Sequence, residues 1–172
     1  QRLKDHGIAV YQLTEPFDAE VEVFRITDAQ FRTRPYQGHH PITDIAGAWS
    51  AESRSLAAGS YWIPLDQPAG LTAMHLLEPE SPDGLLVWNA FDAIFERGII
   101  LEWPALEEHA QRMLEDPGIR ADYEAAFPDT LAQDEAKARL LYLFDRSAYA
   151  EEGYRRYPAF RSSSVPPAHR GL

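Results

Sequence analysis

Cysteine is absent from this 172-residue chain. Disulfides, thiolate metal sites and cysteine nucleophiles are therefore excluded, although a domain of this size can be stable without covalent staples, so the compartment stays open. Positive charge is scarce: 27 acidic residues stand against 16 basic ones, a formal charge of −11. A surface of that sign repels phosphate backbones and anionic membranes, so nucleic acid is not an expected partner. No apolar run approaches the roughly 20 residues that cross a bilayer, and Gln1-Arg2-Leu3-Lys4-Asp5 lacks the apolar core of a signal peptide. No membrane span is expected. Also missing are a Gly-x-Ser-x-Gly elbow, a phosphate-cradling glycine loop and a dinucleotide fingerprint, which removes the usual sequence support for three large enzyme classes. A first residue of Gln instead of Met suggests a fragment or processed product, with any targeting signal upstream.

What is present suffices for one good core, since 45% of residues are hydrophobic. The reading is a single domain over residues 1–161, with room for two lobes, followed by an extended tail over 162–172 of linker composition, Ser162-Ser163-Ser164-Val165-Pro166-Pro167. Residues 8–65 form a β-rich half, with strands expected at Ile8–Leu13, Val21–Thr27, Phe31–Arg34, Glu52–Leu56 and Ser60–Pro64. Between Val21 and Ile26 the apolar positions change sides, which predicts a bulge or a switch of buried face. Residues 67–150 form a helical half. Pro68 opens a helix ending near Pro79, and Val87, Trp88, Phe91, Ile94 and Phe95 predict a second, closed by Gly98. Pro104 starts a third and Asp116-Pro117 caps a fourth, while Thr130-Leu131-Ala132-Gln133 reads as the capping box of a fifth. The fold class expected is α+β, an N-terminal antiparallel β-sandwich-like half followed by a C-terminal helical half.

Candidates for chemistry are few. His75 and Glu78, three apart on a helix, share a face and could hold zinc together, with His39 or His40 as third ligand; this is the small zinc hydrolase alternative. A metal site needs more ligands than the pair supplies, and His6, His109 and His169 are scattered, so a partly buried histidine beside a helix-end glutamate is the plainer reading. The His39-His40 pair reads as a surface loop. Asn89, Asp92 and Glu96 form the polar stripe any amphipathic helix displays. Acid pairs such as Glu107-Glu108 and Glu151-Glu152 are expected from abundance alone. Arg32, Arg34, Arg155 and Arg156 read as solvated or ion-paired side chains. Tyr61, Trp62 and Trp103 are the aromatics that a module binding peptide, peptidoglycan or glycan would expose.

Several stretches are more specific. They are Leu3-Lys4-Asp5-His6-Gly7-Ile8-Ala9-Val10, Gly59-Ser60-Tyr61-Trp62-Ile63-Pro64-Leu65-Asp66-Gln67-Pro68, Leu76-Leu77-Glu78-Pro79-Glu80-Ser81-Pro82-Asp83, Trp88-Asn89-Ala90-Phe91, Phe95-Glu96 and Tyr157-Pro158-Ala159-Phe160-Arg161. In this order they resemble the portion that follows the peptidase domain in long bacterial proteins similar to the zinc carboxypeptidases of family M14. Residues 98–104 depart from that pattern. The resemblance implies a non-catalytic C-terminal accessory domain whose partner is the upstream peptidase domain of the same chain. It implies a secreted or periplasmic protein and zinc in the parent's peptidase domain. No catalytic residue, cofactor or metal is expected in this segment, and the oligomeric state is left open.

Overall fold

The computed structural model describes residues 1–96, 103–128, 136–147 and 152–172. The fold is α+β, strands first and helices after. The chain divides into two compact units, Gln1–Phe95 with Arg155–Leu172, and Glu96–Tyr154.

The first unit opens with a short helix α1 (Arg2–Asp5) and carries two antiparallel sheets. One is a long ribbon of β2 (Phe17–Phe31) and β3 (Ile42–Leu56), paired from Phe17 opposite Leu56 to Phe31 opposite Ile42 with register shifts between Ile26 and Asp28 and between Gln30 and Phe31. The other is three-stranded, with β1 (Tyr11–Leu13) flanked by β4 (Tyr61–Trp62) and β5 (His169–Gly171). β5 falls in the segment expected as an extended tail. It is stitched down by backbone bonds from Leu172 N–H to the Val10 carbonyl (3.1 Å) and from Thr14 N–H to the Ala168 carbonyl (3.2 Å).

The predicted irregularity in β2 has two parts. The buried face changes between Val23 and Phe24, so that Val21 and Val23 are covered on one side and Phe24 and Ile26 on the other. The register then shifts between Ile26 and Asp28. Phe24 and Ile26 join Ile42, Leu86 and Tyr157 in the main core. Ile8, Val10 and Ala73 form a second cluster, joined by Leu3, Ile63 and Leu76.

Three expectations need correction. The strand over Phe31–Arg34 does not form: β2 ends at Phe31, and Arg32–Arg34 lead into the turn at Tyr36–His39. The strand over Glu52–Leu56 is the end of a 15-residue strand whose first part, Ile42 to Ala51, went unrecognised because Ala, Gly, Ser and Asp have little intrinsic strand preference. Pairing with β2 supplies what propensity does not. The expected helix over Val87–Phe95 is instead a set of turns followed by one 3₁₀ turn, Asp92–Phe95. Asn89 is the cause. It adopts a left-handed φ of 64°, and its N–H reaches the Leu86 carbonyl (3.0 Å) while Ala90 N–H reaches that of Leu85 (2.9 Å). This is the bond pattern of a Schellman closure, which stops a helix after its first turn. The helix expected from Pro68 is α2 (Gly70–Leu77).

The second unit contains α3 (Trp103–Met113), α4 (Pro117–Ala126) and α5 (Ala136–Phe144). Asp116 caps α4 as expected, its carboxylate accepting from the N–H groups of Gly118 (2.8 Å) and Ile119 (3.1 Å), with Pro117 in the first turn where no N–H is needed. Leu106, Ala110, Leu143 and Phe144 are buried. Tyr123, Phe127 and Tyr142 form an aromatic triangle with centroids 5.3 to 6.2 Å apart. The capping box at Thr130–Gln133 and the Gly98 helix end lie outside the described residues.

Candidate functional site

Three groups of side chains in the first unit bring sequence candidates together. The first is at the tip of the β2–β3 ribbon. Gln37 and Gly38 both have positive φ, 52° and 80°, and Tyr36 and His39 exchange backbone bonds of 2.8 and 3.0 Å across them. Such a two-residue turn needs left-handed backbone at both centres, which glycine supplies without strain. His39 meets Trp88 edge-on at 5.9 Å, and Tyr36 meets the same indole at 6.2 Å. His40 Nδ1 donates to the Arg32 carbonyl at 2.8 Å, while Arg32 lies 5.1 Å over the Tyr36 ring. Asn89 Nδ2 donates to the His40 carbonyl (2.9 Å) and to Asp92 (3.2 Å). Two histidines and two members of the polar stripe thus meet here as fasteners of a hairpin, while Glu96 belongs to the other unit.

The second group surrounds the end of α2. Glu78 is gripped by both arms of Arg161, 83 residues away in sequence, through Nε (3.1 Å) and Nη2. The guanidinium carbon also lies 3.7 Å over the Trp49 ring. Arg161 is held above its ordinary pKa, chiefly by its hydrogen bond to Glu78. Below this seam Tyr157 is fully buried, and its hydroxyl has no hydrogen-bond partner among the described residues. Desolvation, and secondarily the Glu78 charge, push its pKa far above the usual tyrosine range.

His75 turns elsewhere. The hydroxyl of buried Ser81 is 3.2 Å from its Nδ1 and 3.5 Å from its Nε2. Near-equal distances mean that the hydroxyl addresses the ring edge and not one lone pair, a packed contact and not a base drawing a proton. The expected His75 and Glu78 pair is therefore divided between two partners, and zinc at Glu78 would have to displace a bidentate arginine. Among the described residues, no three His, Asp or Glu side chains gather as a metal site.

The third group is the face around β4 and α2. Trp62 packs against Tyr11 (5.3 Å) and His169 (4.5 Å), whereas Tyr61 is 66% exposed. Gln67 donates to the carbonyls of Ala9 (3.1 Å) and Pro64 (2.7 Å) and accepts from Ala9 N–H (2.7 Å), tying the start of the chain to the loop before α2. The inner side of α2 buries Ala73 against Ile8 and Val10. Its outer side is apolar yet open: Leu71 is 74% exposed and Met74 41%, one turn apart, with Leu65 at 55%. The Glu78–Arg161 pair could not be found from spacing, because its members are brought together only by the fold.

No protein-family model matches the chain, and comparisons with curated proteins and with solved structures return no match.

Proposed function

We propose that the chain is the non-catalytic accessory domain that follows the peptidase domain of a zinc carboxypeptidase-like protein, secreted or periplasmic, with the zinc in the parent's peptidase domain. It stabilises that domain or shapes access to its substrate cleft. The observation that carries this reading is the two-sided character of α2. Residues 3–10, which by resemblance are the exit from the preceding domain, pack on its inner side, while Leu71 and Met74 leave an apolar outer side open at the same place. Apolar side chains one turn apart on an open helix face suit a packed neighbour better than water. The other residues of the resemblance support it as well. Gln67 joins two backbone segments, Glu78 clasps Arg161, and Tyr157 fills the core, so each works as a joint of the scaffold.

The test is made on the parent protein. Deleting residues 8–172 is expected to leave a peptidase domain that still binds zinc but melts at lower temperature or changes its preference among peptide substrates. Leu71→Glu in the full-length parent is expected to reproduce a milder form of the same loss. A deleted protein with unchanged melting temperature and unchanged substrate profile would remove the reading.

A further inference from the structure

The two edges of the β2–β3 ribbon are treated differently. Residues 155–161 run along the outer edge of β2. Glu22 exchanges backbone bonds with Arg161 (2.8 and 3.1 Å), the Phe24 carbonyl accepts from Tyr157 N–H (2.9 Å), and Ile26 N–H donates to the Arg155 carbonyl (2.8 Å). These bonds fix the pleat. Glu22, Phe24 and Ile26 point their backbone groups away from β3, so their opposite residues Ala51, Trp49 and Gly47 point theirs away from β2. Alternation adds Ile45 and Ser53.

Among the described residues, no strand pairs with that outer edge of β3. Its start alone is engaged, by the bond from Ile42 N–H to the Val87 carbonyl (3.1 Å). Exposed edges are ordinarily blunted by proline, lysine or a bulge. Here Ile42–Leu56 contains neither residue, and every position from Asp44 to Leu56 keeps its partner on β2.

We propose that this edge pairs antiparallel with the same edge of a second copy of the chain, about a two-fold axis at Trp49, joining two ribbons into one sheet. Charge and length of overlap together select occupant and register. The only charged residues of β3 are Asp44, Glu52 and Arg54. An axis at Trp49 sets Asp44 opposite Arg54 of the second copy, twice by symmetry, and leaves Glu52 opposite Ala46. An axis at Ala48 would set Asp44 against Glu52, and axes at Gly47, Ser50 or Ala51 oppose no unlike charges; an axis at Ser53 sets Glu52 opposite Arg54 but pairs only residues 50–56, whereas the axis at Trp49 pairs the whole strand. Trp49 itself then forms a hydrogen-bonded pair with its counterpart, the type its outward backbone groups permit. Asp44 and Ala46 lie on the exposed face of the strand. Arg54 already holds Glu52 of its own strand, but a guanidinium has five donors and can serve a second carboxylate.

Sedimentation equilibrium on the full 172-residue chain tests this. Over about 1 to 100 µM the chain is expected to pass from monomer to dimer, as suits a small polar interface. Asp44→Arg places like charges at both ends of the pairing and is expected to raise the dissociation constant about tenfold or more. The exchange Asp44→Arg with Arg54→Asp is expected to return it to within about threefold of the original. Ala46→Lys gives Glu52 of the second copy an opposite charge and is expected to tighten the dimer about threefold, a gain that misfolding cannot imitate. A mass of 19.5 kDa at every concentration, or a dimer whose affinity ignores all three changes, would overturn the proposal.

Discussion

Replacing Tyr157 with alanine is expected to cost about 3–5 kcal/mol of folding stability, whereas Tyr157→Phe is expected to be neutral or to stabilise by about 1 kcal/mol. The ring is fully buried among Phe24, Ile26, Ile42 and Leu86, and it meets Phe91 edge-on at 5.5 Å. Alanine would empty a cavity that covalently tethered strands cannot close. The hydroxyl is a different matter, since it is buried without a partner among the described residues, and a lone buried donor carries a desolvation penalty that phenylalanine removes. Urea denaturation of both variants separates the two terms, and a loss of several kcal/mol in Tyr157→Phe would mean that the hydroxyl is satisfied after all. The pH dependence follows with a definite sign. Burial raises the folded pKa above the ordinary value of 10.0. The unfolded chain therefore loses this proton first, and stability falls as pH climbs past that value. Phenylalanine at this position should remove that share of the alkaline loss.

Gly70→Ala is expected to destabilise the first unit by about 3 kcal/mol, lowering the melting temperature by roughly 5–10 °C. A methyl there would lie 1.9 Å from the Leu65 carbonyl oxygen and 2.8 Å from its carbonyl carbon. Both are backbone atoms in a loop pinned by Gln67, so neither can swing aside as a side chain would. The gain in helix propensity from glycine to alanine, about 1 kcal/mol, is too small to offset this. Gly153→Ala is the control, because nothing lies within 4 Å of a methyl there. Differential scanning calorimetry of the two variants side by side gives the comparison, and equal melting temperatures would show that the α2 approach is looser than the geometry states.

How far the sequence could be read depends on the range of the interactions. The Asp116 cap, the start of α2 and the trouble in the middle of β2 were legible because each is decided by residues within a few positions of one another. The early part of β3 was not, since Ala46, Gly47 and Ala48 prefer no strand and are held in one only by pairing with Arg25, Ile26 and Asp28. Asn89 was misread as a member of a helical stripe, when its tolerance of left-handed backbone is what ends the turn. His75 lies in α2 as expected, but Glu78 is its C-cap with extended backbone, and their partners, Ser81 and Arg161, had no signal in the three-residue spacing. Which side of α2 faces inward had no signal, because a helix this short with apolar residues on both sides does not declare it.

The return of residues 155–172 to pair with β2 and β1 bears on the order of events during synthesis. The helical unit is continuous in sequence, so all its partners have left the ribosome before the β-rich unit can finish its own sheets. Until residues 155–171 emerge, β1 lacks β5, the outer edge of β2 is uncovered and Tyr157 is missing from the core. The nascent chain thus carries a long unshielded ribbon while residues 57–154 are made. Truncation before residue 155 would leave that hazard in place, whereas loss of residues 169–171 alone would leave β1 without β5.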